Sequence, residues 1–234
     1  MPVKPRECRA RVTAVRALAP DILEADLRLE DPPTFVFEAG QWVSVPFGPK
    51  TVRAYTIAST PQARTHITLC ADVAPDGIGS RWFKALAPGH EITFKGPTGG
   101  FVYTRADPRW PLFVAEEIGI VPVRSILADL FETGFGRPSL LVYGARRPHA
   151  LVYGDEFRRL ARRYPGFSYH PVVTEAGAAG GAEGGDLVDV VTRVTPATHT
   201  VAYVAGGGET INRVRAALMA RGLDRKAIKW ERFW

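Results

Sequence analysis

The sequence predicts a two-domain protein in which an antiparallel β-barrel or sandwich is followed by an α/β domain with a parallel sheet. Apolar and polar residues alternate in short segments of the first half, whereas apolar runs alternate with helical patterns in the second half. A polar segment with two prolines, 104–111, lies between the halves. We therefore expect one domain over 1–106 and another over 107–234, and a chain of 234 residues is long enough for both.

Short strands at near-regular spacing are expected in the first domain. Between Ile22 and Glu30, leucine and alanine alternate with charged residues, which is the period of a half-buried strand. Turn residues such as Asp31-Pro32-Pro33 separate further segments of this kind, which lie at 43–47, 53–57, 67–71 and 92–94. A short helix over 81–86, with Ser80 as its N-cap, is expected before the last strand.

The second domain is expected to be built from βαβ units. Apolar runs predict parallel strands that are buried on both faces, at 112–115, 139–143, 167–173 and 200–204. Helical spacing of apolar residues is found between and after them, at 120–130, 157–164 and 211–218. Ligands of such sheets bind beyond the carboxyl ends of the strands, here at 115–119, 144–147, 174–175 and 205–208.

The segment 53–59 places a cation, an aromatic ring and a hydroxyl on one predicted strand. The guanidinium of Arg53 can hold a phosphate, the ring of Tyr55 can lie against a flavin, and the hydroxyl of Thr56 can bond a ring nitrogen. A half-buried strand with one surface arginine explains these residues equally well. A second candidate phosphate site is the glycine turn 76–80, for which an ordinary turn and helix cap is the alternative.

Composition excludes several classes of protein. Hydrophobic residues make up 46% and charged residues 23% of the chain, as in ordinary soluble globular domains. No run approaches the ~20 apolar residues of a membrane span, and the chain starts without a secretory signal pattern, so we expect no membrane span and a cytoplasmic location. The two cysteines and five histidines lack metal-ligand spacing, and we expect no metal.

The formal charge of +6 favours anionic partners. The basic residues are not gathered into a block interleaved with aromatic residues, so nucleic-acid binding is not expected. Phosphate-bearing cofactors or an acidic electron-transfer protein fit better. A basic surface without a partner is the alternative.

The chain, with a barrel, a polar boundary and a parallel sheet in this order, resembles the ferredoxin–NADP reductase-like flavoprotein family over nearly its whole length. Arg53-Ala54-Tyr55-Thr56 resembles its flavin-binding Arg-x-Tyr-Ser/Thr, and the segment 77–80 resembles its flavin-phosphate turn. Further matches follow at 96–101, 142–146, 155–157 and 231–233. The resemblance implies an FAD-binding Greek-key β-barrel over 1–106 and a Rossmann-like, NAD(P)-binding-type domain over 107–234.

The resemblance also implies roles for individual residues. Arg53 would contact the flavin phosphates, Tyr55 would pack on the isoalloxazine, and Thr56 would bond near N5. The implied FAD-binding set is Arg53, Ala54, Tyr55, Thr56, Leu69, Cys70, Ala71, Gly77, Ile78, Gly79, Ser80 and Trp234. The expected catalytic residues are Thr56, Glu231 and Trp234. Trp234 would cover the other flavin face, and Glu231 would lie near the site where electrons enter or leave. A surface tail residue and a structural salt bridge are the respective alternatives.

The nucleotide loop departs from the family pattern. Members that use NAD(P)H carry Ala-Gly-Gly-Thr/Ser-Gly-Ile-x-Pro, whereas this chain has Ala-Glu-Glu-Ile-Gly-Ile-Val-Pro over 115–122. Glu116 and Glu117 replace the glycines that let the pyrophosphate approach, although Gly119 is kept. A carboxylate ~5 Å from a phosphate costs roughly 3 kcal/mol at an effective dielectric constant near 20.

Two other positions strengthen this departure. Glu175 stands where NADP-preferring members often carry arginine, and Ala205 precedes Gly206 where a cysteine is frequent. Arg146 and its neighbour Arg147 could still attract a nucleotide. On balance the sequence predicts impaired or absent NADP binding.

The leading hypothesis is an FAD-dependent oxidoreductase or electron-transfer flavoprotein whose partner is a protein, such as an acidic ferredoxin or flavodoxin. An ordinary NADH-dependent flavin reductase is one alternative. A flavin-binding sensor or subunit without turnover is another.

Overall fold

The computed structural model describes residues 4–175, 181–196 and 199–233. It divides the chain into two compact units. The first contains the residues up to Tyr103 together with Arg124–Gly134, and the second contains Thr104–Val123 and the residues from Phe135 onward.

The first unit contains one antiparallel sheet with the strand order β4-β3-β6-β1-β2-β5. A bridge between Ile57 and Leu69 joins the two edges, so the sheet closes into a barrel. A short helix, α1 (Ile78–Lys84), precedes the last strand. The strands are β1 (Arg6–Ala19), β2 (Ile22–Asp31), β3 (Trp42–Pro46), β4 (Val52–Thr56), β5 (His66–Asp72) and β6 (Glu91–Thr98).

Large side chains that alternate along these strands fill the barrel. Leu27, Leu69 and Phe94 are fully buried, and Phe35 meets Phe94 edge to face with the ring centroids 5.7 Å apart. This core supports the strand that carries Arg53 and Tyr55.

The second unit contains a parallel sheet with the order β10-β9-β8-β7-β11-β12. Its strands are β7 (Trp110–Glu116), β8 (Ser139–Ala145), β9 (Phe167–Val173), β10 (Glu183–Gly184), β11 (Thr200–Gly206) and β12 (Ile228–Arg232). Its helices are α3 (Gly154–Arg163), α4 (Leu187–Val194) and α5 (Gly208–Ala220), with 3₁₀ turns at Glu117–Gly119, Pro148–Ala150 and Arg225–Ala227. Helix α2 (Ile120–Glu132) starts in this unit, and its residues from Arg124 onward belong to the first unit. The strand order reverses between β7 and β11, which makes their carboxyl ends the expected ligand crevice.

The predicted fold class is confirmed, since an antiparallel sheet precedes a parallel one. The prediction that Ser80 caps the short helix is wrong. The helix begins three residues earlier than expected, because the extended backbone of Gly77 offers its carbonyl to Arg81 N at 3.0 Å, and no side chain caps it. The boundary between residues 106 and 107 stays a prediction. Within the described ranges, none of the helices has the length and apolar character needed to cross a bilayer.

Candidate functional site

The residues of the first unit that the sequence singles out meet around Gly79. The phenol of Tyr55 donates to Gly79 O at 3.2 Å. A Cβ atom at Gly79 would lie 2.8 Å from the Tyr55 hydroxyl and 3.1 Å from Arg53 Cγ, so only glycine allows this approach. The strand 53–56 and the turn 77–80 therefore form one continuous surface.

Arg53 and Tyr55 present different environments on this surface. Arg53 is exposed, and its Nη1 donates to the carbonyl of Val52 at 2.9 Å. Tyr55 is 7% exposed and packs against Trp82 and Phe83, and this burial raises the pKa of its phenol to about 12. At neutral pH the phenol is therefore a hydrogen-bond donor, and the nearby guanidinium supplies a fixed positive charge.

Two side chains of the first unit hold the segment that follows Thr56. Arg124 Nη1 donates to Ala58 O at 2.8 Å, and the fully buried hydroxyl of Ser125 donates to Ser59 O at 2.7 Å. Ser59 Oγ in turn accepts from Thr68 N at 3.0 Å. These contacts fix the backbone beside Thr56, which is itself buried.

The other predicted FAD-binding positions lie on two nearby elements of the same unit. Leu69, Cys70 and Ala71 are buried residues of β5, an edge strand of the sheet. Ile78 and Ser80 belong to the first turn of α1, and Ala54 is an exposed residue of β4. The structure thus brings these predicted positions into one unit, and their contact with FAD stays a prediction.

In the second unit, the crevice between β7 and β11 contains the carboxylate of Glu116. Its Oε2 accepts from Gly207 N at 2.9 Å, and its Oε1 accepts from Thr210 Oγ1 at 2.6 Å. Both donors belong to the start of α5, where the helix dipole favours a negative charge. A cavity of about 490 Å³ opens beside this carboxylate.

Glu117 makes the corresponding contact on the other side of β7. Its Oε1 accepts from Arg146 N at 2.7 Å, and its φ of 48° lies in the left-handed region that favours glycine. The side chains of Arg146 and Arg147 are directed to Glu175, at 3.4 Å and 2.9 Å. Carboxylates of the protein therefore contact donors in the loops after β8 and β11.

The glycines of this crevice are needed for close backbone approach. A Cβ atom at Gly119 would lie 2.4 Å from Ala205 O, and one at Gly206 would lie 2.8 Å from Glu116 Cβ. Gly119 thus allows the loop after β7 to lie against β11, and Gly206 leaves space for the side chain of Glu116.

Glu231 lies at the edge of the same sheet, opposite Ala205 in the register of β11 and β12. Its Oε2 is buried and has no hydrogen-bond partner within residues 4–175, 181–196 and 199–233, and burial raises the pKa of this carboxyl to about 7. The structural salt bridge offered as its alternative role is absent for Oε2 among the residues that the structure describes. Trp234 lies outside those residues.

Sequence reasoning missed Thr210 as a functional residue. Thr210 is the third residue of a helix that follows a glycine run. This position is the signal that could have identified it as a hydrogen-bond donor at the crevice. Sequence alone also left the direction of Glu116 and Glu117 open, because nothing in a loop pattern specifies which amides a side chain reaches.

The first unit is a barrel that carries an arginine and a tyrosine, and the same chain continues into an α/β unit with a ligand crevice at its switch point. This combination is typical of oxidoreductases that bind a flavin and a nucleotide. Residues 9–103 match the oxidoreductase FAD-binding domain model and residues 113–215 match the oxidoreductase NAD-binding domain model. The chain belongs to the ferredoxin–NADP reductase family of flavin-dependent oxidoreductases.

Individual relatives agree with this assignment. Ferredoxin–NADP reductase B of Sorangium cellulosum is 30% identical over 96% of this chain and 96% of its own length. The reductase component of propane 2-monooxygenase of Rhodococcus jostii is 27% identical over 97% of this chain, which spans 64% of that protein. The structure of an Amycolatopsis cytochrome P450 reductase superposes with a TM-score of 0.88 at 25% identity, covering 98% of this chain and 70% of that one.

Proposed function

We propose that this protein is an FAD-dependent oxidoreductase that exchanges electrons with a redox protein and binds NAD(P)H weakly. The observation that carries the proposal is the position of Glu116, whose carboxylate already occupies Gly207 N and Thr210 Oγ1 at the switch-point crevice. These are the kind of donors that an anionic nucleotide group would need.

A pyrophosphate that entered this crevice would meet two carboxylates. Glu116 and Glu117 both accept backbone N–H bonds, so a nucleotide has to break these bonds or bind beside the negative charges. A carboxylate ~5 Å from a phosphate costs roughly 3 kcal/mol at an effective dielectric constant near 20, which corresponds to about 100-fold in affinity. Weak binding of NAD(P)H follows from this cost.

The first unit fits an FAD molecule. Arg53 offers an exposed guanidinium to the phosphates, and the bare backbone of Gly79 provides a close approach that a Cβ atom would fill. Tyr55, Thr56 and the edge strand β5 would hold the isoalloxazine and the rest of the cofactor, with Trp234 over its other face. When bound, FAD supplies the electron-transfer chemistry, while the protein binds and orients it.

The partner we propose is an acidic redox protein, such as a ferredoxin, a flavodoxin or a component of an oxygenase system. Relatives of this chain are named as reductase components of propane 2-monooxygenase and of terephthalate 1,2-dioxygenase. The net charge of +6 favours an acidic surface on the partner.

A second candidate function is an NADH-dependent reductase. The match of residues 113–215 to an NAD-binding domain model favours it, and Glu175 disfavours the 2′-phosphate of NADPH. In this case Glu116 has to leave Gly207 when the nucleotide binds.

Anaerobic titration of the FAD-loaded protein with NADH and NADPH tests the proposal. The wild-type flavin should stay oxidised at nucleotide concentrations that reduce ordinary family members, and a reduced ferredoxin or dithionite should still reduce it. The variant Glu116→Gly with Glu117→Gly should bind NADH at least about 100-fold more tightly, since the removal of one such charge already corresponds to about that factor. Glu209→Gln, which removes a charge that lines the same crevice without a hydrogen bond to Gly207, is the matched control.

Rapid reduction of the wild-type flavin by NADH at micromolar concentration would contradict weak binding and support the second candidate. An equal gain in Glu209→Gln would show that net charge, and not the position of Glu116, sets the affinity. Failure of the purified chain to bind FAD would refute both functions.

A further inference from the structure

An exposed patch of the α/β unit lies where helix α5 packs beside strand β12. Trp230 of β12 is 49% exposed, and Met219 of α5 is 45% exposed. Arg215 connects them, because its Cζ atom lies 5.7 Å from the centre of the Trp230 ring and Met219 follows it by one helical turn on the same face of α5. Arg215, Met219 and Trp230 are called the α5–β12 patch below.

The fold does not need the apolar surface of this patch. Helix α5 and strand β12 are anchored in the core by Val214, Leu218 and Ile228, which are buried together. Six large apolar side chains are exposed among the described residues, and two of the six, Met219 and Trp230, adjoin the same arginine. Exposed apolar groups that lie together and are bordered by charge mark interaction sites, whereas single ones do not.

The patch is open to an approaching protein. Strand β12 is the last strand in the sheet order and pairs with β11 alone among the described strands. A partner can therefore reach Trp230 without displacing another element of the sheet. The guanidinium of Arg215 already lies over the ring, so this side chain loses less freedom on binding than an unrestrained one would.

The charge around the patch defines the class of partner. Residues 208–232, which comprise α5, the following turn and β12, contain seven Lys or Arg and three Asp or Glu. A second copy of this chain would bring like charges together on this surface, whereas an acidic protein would be attracted to it. Trp, Met and Arg are also the residue types that are enriched in the centre of protein interfaces.

We propose that the α5–β12 patch is the centre of the docking surface for an acidic redox protein. Trp230 and Met219 become buried against apolar groups of the partner, and Arg215 pairs with one of its carboxylates. A surface with few anchoring residues suits electron-transfer complexes, whose interfaces are among the smallest. The inference rests on the proposed function, because it assigns a surface to the partner named there.

The experiment uses the FAD-loaded full chain and, as the probe, an acidic plant-type [2Fe–2S] ferredoxin. Calorimetric titration gives the Kd, and stopped-flow reduction of the flavin gives the ferredoxin concentration at half-maximal rate. Trp230→Ala should weaken binding about ten-fold or more, and Arg215→Gln about five-fold. The half-saturating concentration should rise by the same factors, while the maximal rate and the reduction of the flavin by dithionite stay unchanged.

Two matched controls test whether the position of the patch matters. Trp110→Ala removes another exposed tryptophan of the same unit, and Arg159→Gln removes another exposed arginine. Both variants should bind ferredoxin within about two-fold of the wild type. The proposal is overturned if Trp230→Ala and Arg215→Gln also stay within two-fold, or if the controls lose as much affinity as they do.

Two further outcomes would also overturn the proposal. Sedimentation that shows a wild-type dimer, which Trp230→Ala dissociates, would assign the patch to a second copy of this chain. A wild-type protein that the ferredoxin neither binds nor reduces, although dithionite reduces its flavin, would refute the proposed redox-protein partner together with its docking surface. Reduction of the wild type and of Trp230→Ala with the same concentration dependence would leave the proposed function intact and refute the docking surface alone.

Discussion

Glu231 shows how one residue links burial to pH. Its Oε2 has no hydrogen-bond partner in the part of the chain that the structure describes, and burial raises the pKa of the carboxyl to about 7. The folded protein therefore holds the proton more tightly than the unfolded chain does. The associated stability is fully present below the ordinary glutamate pKa, near 4.3, and is lost as the pH rises through about 7.

We expect Glu231→Gln to stabilise the protein at about pH 8 and to have little effect at about pH 4.5. The pKa shift corresponds to roughly 3 kcal/mol between these conditions, because the neutral amide avoids a buried unpaired charge. Urea unfolding of the FAD-loaded protein at the two pH values measures the difference. Glu38→Gln, at an exposed carboxylate, should show no such pH dependence. A Glu231→Gln effect of equal size at both pH values would mean that the charge of Glu231 is not involved.

Arg53 is the residue on which FAD binding should depend most. This residue is exposed and its Cβ and Cγ lie beside Gly79, so the guanidinium can form charge-assisted hydrogen bonds to a phosphate near this turn. Hydrogen bonds to a charged group contribute roughly 1.5–3 kcal/mol, so Arg53→Gln should weaken FAD binding by about 10- to 100-fold.

Quenching of flavin fluorescence on titration of the apoprotein measures this affinity. Arg64→Gln removes another exposed arginine of the same unit and should change the affinity by less than about two-fold, since an exposed charge remote from the turn is screened. Equal losses in both variants would assign the effect to overall charge.

Among the elements, those with a clear apolar period could be predicted from the sequence, and those fixed by tertiary contacts could not. The alternation over 22–30 specifies β2 by itself. Strand β1 escaped prediction because its buried positions are mostly small residues, such as Cys8 and Ala10, and its register comes from pairing with β2 and β6. The edge strand β12 is largely polar, so it too lacked a signal.

Helix α4 escaped prediction for a different reason. Four of its residues are valines, and β-branched side chains favour strands by intrinsic propensity. Packing of Leu187 and Val191 in the core with α5 overrides that preference, and Asp186 caps the helix by accepting from Val188 N at 2.7 Å. The cap also contacts Arg213 of α5 at 2.7 Å.

Asp186→Ala should therefore destabilise the second unit by about 1–2 kcal/mol through loss of the cap. Asp186→Asn keeps a capping oxygen and removes the charge, so it should cost less than about 1 kcal/mol. Urea unfolding gives both values, and hydrogen exchange at Val190 locates the change in α4. If the asparagine variant lost as much stability as the alanine variant, the ion pair with Arg213 would be the main contribution.

At the scale of the whole molecule, the sequence predicted which loops would form the crevice of the α/β unit but not which hydrogen bonds their side chains would make. The residues 115–119, 144–147 and 205–208 do lie at the carboxyl ends of β7, β8 and β11, because parallel topology alone places these ends along one edge. The bonds of Glu116 to Gly207 and Thr210 join residues about ninety positions apart, and such long-range pairing depends on side-chain geometry that no local pattern contains.

The charge of the whole chain leads to the last prediction, which concerns the partner. Lys and Arg number 30 against 24 Asp and Glu, and attraction between this net positive protein and an acidic ferredoxin should steer their encounter. Salt screens such attraction, with a Debye length of about 10 Å at 0.1 M and about 30 Å at 0.01 M. The rate of electron transfer between the bound flavin and an acidic ferredoxin should therefore fall at least about ten-fold from roughly 20 to 300 mM salt.

Stopped-flow measurement of flavin oxidation or reduction gives this rate. Reaction of the same flavin with a small neutral quinone is the control, and its rate should stay constant over the same range because no charged encounter precedes it. A quinone rate that fell in parallel would assign the effect of salt to the flavin site itself. A ferredoxin rate that did not change with salt would rule out electrostatic steering, and the partner would then have to dock through apolar contacts.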